Sequence, residues 1–173
     1  DAGELDRSEY LANFERPILV RKNAGAAGGL WPENPAGMIK NRDTMRKIRF
    51  GVVGTNFVTD WVIAGARQDN RFELVAVYSR KQETADAFAV KHQIPYTFTS
   101  LEEMAESPLI DAVYIASPNF LHAEQSILCM KHGKHVLCEK PFASNAREVR
   151  EMVAASEEYD VTLMEAMKPT LTP

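Results

Sequence analysis

Ile48-Arg49-Phe50-Gly51-Val52-Val53-Gly54-Thr55-Asn56-Phe57 is the stretch on which the fold turns, and Val58, Trp61, Val62 and Ala66 follow it at helical spacing. A short apolar run that closes on glycine and opens into an amphipathic period predicts a strand, a tight turn and a helix. The start of such a helix offers unpaired backbone N–H groups and the positive end of the helix dipole. Strand, glycine turn and helix N-terminus together suit the pyrophosphate of a dinucleotide. The spacing here is Gly51, Gly54, Asn56 rather than a full G-x-G-x-x-G. Gly54 is expected to permit a close approach to phosphate. Asn56 is expected to cap the helix or to take a left-handed conformation.

The same alternation continues downstream. Apolar runs fall at Phe72–Tyr78, Tyr96–Thr99, Ile110–Ala116, His135–Cys138 and Val161–Met164. Helical periods lie between them, over about Gln82–His92, from Ser100, over His122–His132, and from Ser144/Asn145. Ser100 with Glu103 has the spacing of a capping box, and Gly133 is placed to end its helix in a left-handed turn. In the last helix, Val149, Val153 and Ser156 are expected to face inward behind Glu148. Strands alternating with helices predict a parallel sheet covered on both faces. Six strands in about 125 residues give one doubly wound α/β domain of dinucleotide-binding size. Met104, Met130 and Met152 read as helix core residues.

Upstream of Lys47 the character changes. Residues 1–45 carry five of the nine glycines, among them Gly25, Gly28 and Gly29, and no sustained hydrophobic period. They are expected to be a largely loop-like N-terminal extension, with a short helix over Asp6–Phe14. Met45 would make a natural start for the domain at 46–168, and the chain reads as a fragment at both ends. No secretory leader is visible and no apolar run reaches membrane-spanning length. The 173 residues hold 24 acidic and 20 basic side chains, a formal net charge of −4. That balance argues against a broad nucleic-acid surface. Two cysteines do not make a disulfide scaffold and suit a reducing cytoplasm.

The chemistry-bearing residues cluster at strand ends, where open α/β sheets bind ligands. After the second strand comes Tyr78-Ser79-Arg80-Lys81, with no acid to receive ribose hydroxyls. Ser79 and Arg80 suit a 2′-phosphate, so NADP is expected ahead of NAD. The fourth strand leads into Ser117-Pro118-Asn119 with His122 beyond, and the fifth into Glu139-Lys140-Pro141. Lys140, next to Glu139, is a candidate proton donor or electrostatic clamp, since hydride transfer needs a group to handle the proton of an alcohol. Cys129, His132, His135 and Cys138 imitate a zinc spacing, but they divide between a helix and a strand, so no metal site is expected.

Gly51-Val52-Val53-Gly54-Thr55, Tyr78-Ser79-Arg80, Ala116-Ser117-Pro118-Asn119-Phe120-Leu121-His122 and Cys138-Glu139-Lys140-Pro141-Phe142-Ala143 occur in an order that resembles the Gfo/Idh/MocA oxidoreductases. The Ser-Arg pair is similar to the dihydrodiol-dehydrogenase-like branch. The resemblance covers about residues 46–173. It implies a Rossmann-type domain, NAD(P)-dependent oxidation or reduction of a sugar, cyclitol or related polyol, and a homo-oligomer in the full-length protein. It also implies that Gly51, Gly54, Thr55, Asn56 and Phe57 line the pyrophosphate. Ser117, Pro118, Asn119, His122 and Glu139 would shape the nicotinamide pocket, and Lys140 would be catalytic. Pro141 would follow a cis peptide. Glu165 and Lys168 would begin a crossover, continued by 169–173, into a C-terminal α/β domain that this chain lacks. On that reading the chain alone binds cofactor poorly or moderately and turns over no substrate. The alternative reading is a non-catalytic NAD(P)-sensing module.

Overall fold

The computed structural model of the protein describes residues 46–166. Residues 1–45, with the extension and the Asp6–Phe14 helix expected there, and residues 167–173, with Lys168, lie outside the described residues. Six strands alternate with five α-helices. β1 is Ile48–Val53, α1 Phe57–Ala66, β2 Phe72–Tyr78, α2 Gln82–His92 and β3 Tyr96–Phe98. α3 is Leu101–Glu106, β4 Ala112–Ile115, α4 His122–Lys131, β5 His135–Glu139, α5 Ala146–Glu158 and β6 Leu163–Ala166. A 3-10 turn over Asn119–Leu121 leads into α4.

The sheet runs β3-β2-β1-β4-β5-β6 and each pair of neighbours is parallel. This is the doubly wound order, in which the chain reverses direction across the sheet between β1 and β4. Side chains of the strands alternate between two cores, except at Val75 and Ala76 of β2, beside the shift in the β1–β2 register. Val53, Val113, Ile115, Val136 and Cys138 pack with Met104, Met130 and Met152 of α3, α4 and α5. Val52, Val77 and Tyr114 pack with Val62 and Ile63 of α1 and Phe88 of α2. The three methionines are fully buried; each such side chain removed from water contributes roughly 1.5–3 kcal/mol.

Helix ends follow local chemistry. Asn56, Ser100 and Asn145 cap α1, α3 and α5 with their side chains. Gln93 at φ 54° closes α2 and Gly133 at φ 74° follows α4. The amino edge of β1 is fastened by Asp111. Its Oδ2 accepts from the Arg49 backbone N–H at 3.0 Å and from Arg49 Nε at 2.9 Å.

Three details depart from the sequence reading. The buried face of α1 is Thr59, Val62 and Ile63, whereas Trp61 is 56% exposed. A buried threonine is tolerated because its Oγ1 donates to the Gly54 carbonyl at 3.1 Å. In α5 Met152 is buried as expected, together with Ala155, whereas Val153 is exposed and Val149 and Ser156 are only half-buried. β6 starts at Leu163, two residues later than the apolar run, so Glu165 is a strand residue and not the start of a crossover.

Candidate functional site

The turn after β1 is shaped by its own backbone. Gly54 has φ 109°, and a Cβ there would lie 2.6 Å from the Ala116 carbonyl oxygen at the end of β4. The close approach that demands glycine is thus to the neighbouring strand. Gly51 is different: it is buried within β1 at a shift in the β1–β2 register, and a Cβ would run into Met104 Cε. Its role is to let α3 pack on the sheet. It does not reach the crevice.

Asn56 has extended backbone (φ −83°), so the capping alternative holds and the left-handed one does not. Its Oδ1 accepts from Val58 N–H at 2.9 Å and Thr59 N–H at 3.3 Å. Its Nδ2 donates to the Ala116 carbonyl at 2.6 Å, joining the turn to β4. Thr55 is half-buried, and Phe57 is 64% exposed with its ring edge-on to Trp61, the centroids 5.1 Å apart.

A crevice of about 160 Å³ opens at the switch point between β1 and β4. Asn56 and Val58 line it from α1, Ala116, Ser117 and Asn119 from the β4 exit, and His122, Glu139 and Lys140 from beyond. Pro118 is exposed between two of the lining residues. Ser117 Oγ is buried and has no hydrogen-bond partner among the described residues. A buried hydroxyl left unpaired costs free energy, which a polar ligand group would recover.

His122 is 1% exposed, and its ring bridges two loops. Nδ1 lies 2.9 Å from the Pro141 carbonyl oxygen and Nε2 lies 2.9 Å from that of Ser117. Glu139 is buried to 8% exposure, with Oε1 accepting from Tyr114 Oη at 2.7 Å and Oε2 from the Lys140 N–H at 3.0 Å. The Lys140–Pro141 peptide is cis, as the resemblance implied. Lys140 itself is exposed on the crevice rim.

Ser79 and Arg80 follow β2, one strand over from β1. The Tyr78 carbonyl accepts from Gly54 N–H at 3.4 Å, and Ser79 N–H donates to Phe98 at 3.1 Å. Arg80 is exposed and forms no ion pair among the described residues. Gly54, Arg80, Asn119 and Lys140 therefore stand at the carboxyl ends of β1, β2, β4 and β5, along one edge of the sheet.

The zinc-like quartet does not gather. His135 Nδ1 accepts from Thr162 N–H at 2.9 Å, and both cysteines are buried free thiols that burial pushes up to about 12. His132 instead neighbours exposed Glu102 and Glu106. Two side-chain roles are missing from the sequence reading. Tyr114 sits in a run apolar on both faces, where one hydroxyl gives no pattern. Glu165 holds the Phe142 N–H with Oε1 at 3.0 Å.

Residues 48–167 match the Gfo/Idh/MocA family, described as an oxidoreductase family with an NAD-binding Rossmann fold. The chain belongs to that family. Among its relatives, scyllo-inositol 2-dehydrogenase (NADP(+)) IolU of Bacillus subtilis (strain 168) is 56% identical over 126 residues, 73% of this chain and 38% of that protein. The 1,5-anhydro-D-fructose reductase of Ensifer adhaerens is 40% identical over 116 residues, 66% of this chain and 34% of the enzyme. The solved WlbA dehydrogenase from Bordetella pertussis, in complex with NADH and UDP-GlcNAcA, superposes with TM-score 0.64 at 34% identity, over 68% of this chain and 35% of that one. The chain thus spans little more than a third of the length of these relatives.

Proposed function

We propose that residues 46–168 form the nicotinamide-nucleotide-binding domain of an NADP-preferring oxidoreductase, with 1–45 an extension and 169–173 leading onward. The observation that carries the reading is the convergence of Asn56, Ser117, Asn119, His122, Glu139 and Lys140 on one crevice at the switch point. The unpaired Ser117 Oγ and the start of the ten-residue helix α1 beside it suit a dinucleotide. Gly54, Thr55, Asn56 and Phe57 would face the pyrophosphate. Ser79 and Arg80 would take the 2′-phosphate, a preference supported by the absence of an acid after β2 and by the likeness to an NADP(+) enzyme.

A bound nicotinamide ring supplies the hydride acceptor or donor. The protein's own part is then to orient and to move one proton. Ser117, Asn119, His122 and Glu139, with Pro118 between them, would hold a nicotinamide ring. As the ammonium, Lys140 would give a proton to the carbonyl oxygen as the carbonyl becomes an alcohol, and in the reverse direction the neutral amine would take that proton back. The substrate class is a sugar, cyclitol or related polyol, drawn from the kinds of compound named for the relatives. We also propose a homo-oligomeric full-length enzyme in the cytoplasm, where two buried free thiols stay reduced.

Fluorescence titration of the 173-residue chain with NADPH and NADH tests the cofactor claim. Saturable binding, tighter for NADPH, is expected. A folded sample that binds neither overturns it. Polyol oxidation by a protein extended with the downstream coding sequence tests the activity.

A further inference from the structure

One backbone group of each of three consecutive residues after β5 is held by a side chain. The Lys140 N–H donates to Glu139 Oε2 at 3.0 Å. The Pro141 carbonyl lies 2.9 Å from His122 Nδ1. The Phe142 N–H donates to Glu165 Oε1 at 3.0 Å. Lys140 thus leaves a corner that is fixed before any ligand arrives. Its own side chain is exposed on the crevice rim.

Of these anchors, Glu139 is set from inside the core. Tyr114 is 1% exposed and packs on the α1/α2 side of the sheet with Val52, Val62 and Ile63. In the β4–β5 register it stands opposite Leu137, which places Glu139 two residues further along the same face. Such diagonal neighbours are within reach of a long aromatic side chain. The Tyr114 hydroxyl reaches Glu139 Oε1 at 2.7 Å, which leaves Oε2 turned towards the Lys140 N–H. Tyr114 is not among the residues lining the crevice.

We propose that Tyr114 is a positioning residue for Lys140, acting through Glu139. Its phenol fixes the carboxylate, the carboxylate fixes the Lys140 peptide, and the amine is delivered into the crevice from one geometry. Without the hydroxyl, Oε1 loses its anchor, the carboxylate turns, and the Lys140 N–H is released. The functional half of this inference rests on the nucleotide-binding reading above; the structural half does not.

The test is Tyr114→Phe in the full 173-residue chain, which removes one hydroxyl and keeps the ring. Two measurements are made: amide hydrogen exchange by NMR, and NADPH affinity by fluorescence titration. In the wild type the Lys140 N–H should be protected although it lies at the rim. In the variant its exchange should rise about tenfold while Val113, Ile115 and Val136 keep their rates, and NADPH affinity should fall about fivefold to tenfold. A merely structural loss would speed all strand amides together, and that result overturns the proposal. So does unchanged Lys140 exchange in the variant, or altered exchange with unchanged affinity. If the variant does not fold, the wild-type measurement decides: an unprotected Lys140 N–H sinks the proposal and a protected one supports it. A wild type that binds no NADPH but shows the expected exchange pattern refutes the nucleotide reading and leaves the Tyr114–Glu139–Lys140 relay standing.

Discussion

Asn56 ties two strands' ends together: its Nδ2 donates to the Ala116 carbonyl at 2.6 Å while its Oδ1 caps α1. Both sides of the switch-point crevice therefore depend on one amide. Asn56→Ala should cost about 1–2 kcal/mol of unfolding free energy through the lost cap alone. NADPH affinity should fall in parallel, because the α1 N-terminus loses its tether to β4. Urea unfolding with a paired titration checks this. Asn56→Asp is the comparison: it keeps the cap but sets a carboxylate oxygen against the Ala116 carbonyl where an N–H₂ donated, so only part of the stability should return and the affinity should not.

Gly54→Ala should be worse than Asn56→Ala. The added Cβ meets the Ala116 carbonyl at 2.6 Å, and φ 109° is a conformation that alanine adopts only under strain. Each penalty is of order 1–3 kcal/mol. Circular dichroism melts should show a large fall in midpoint. By contrast, Gly133→Ala meets nothing within 4 Å, so it bears only the strain of φ 74° and should fall between wild type and Gly54→Ala.

Asp111 makes the acid limb of stability predictable. The Arg49 guanidinium hydrogen-bonded to it, with the Arg49 backbone N–H and the Arg46 charge, holds its carboxyl well below the usual carboxylate range, against the opposing effect of burial. A carboxyl depressed in the folded state stabilises it fully above the unfolded value, about pH 4, and loses that contribution as pH falls further. Unfolding midpoints of the wild type should drop steeply from about pH 4 to pH 2. Asp111→Asn should start lower at neutral pH and be flatter over the same range. Parallel slopes for the two proteins would remove Asp111 from the account.

The order of elements was legible because the strands and helices carry different periods. β2 and α2 fall where the apolar run and the helical period place them. What sequence could not supply was the inward face of a helix whose buried position is polar. Thr59 is admitted to the core only because the Gly54 carbonyl happens to face it, and that acceptor is a tertiary fact. Trp61 gave the stronger apolar signal and lies outside. The site was legible as strand-end clusters, since a parallel sheet puts all carboxyl ends on one edge. Tyr114 was invisible, because in a strand buried on both faces every residue is apolar enough to pass as packing.

On the proposed reading, Arg80 would carry the cofactor preference. It is exposed, so salt screens its attraction for a 2′-phosphate. Arg80→Ala should weaken NADPH binding about tenfold at low salt and leave NADH nearly unchanged. The NADPH/NADH ratio of the wild type should shrink as salt is raised, and that of the variant should not. Equal losses for both nucleotides would place the 2′-phosphate contact elsewhere.

Lys140 can be separated into a charge and a proton. It is exposed, so Lys140→Met and Lys140→Arg should both melt within a degree or two of the wild type, as surface substitutions do. Lys140→Arg keeps the positive charge on the crevice rim but cannot release a proton at any working pH. NADPH binding by the 173-residue chain should then be close to normal for Lys140→Arg and weaker for Lys140→Met. In a protein extended through the downstream sequence, polyol oxidation should fall about a hundredfold to ten-thousandfold in both. Turnover that survives in Lys140→Arg would make the residue an electrostatic clamp and move the proton-transfer role to another group.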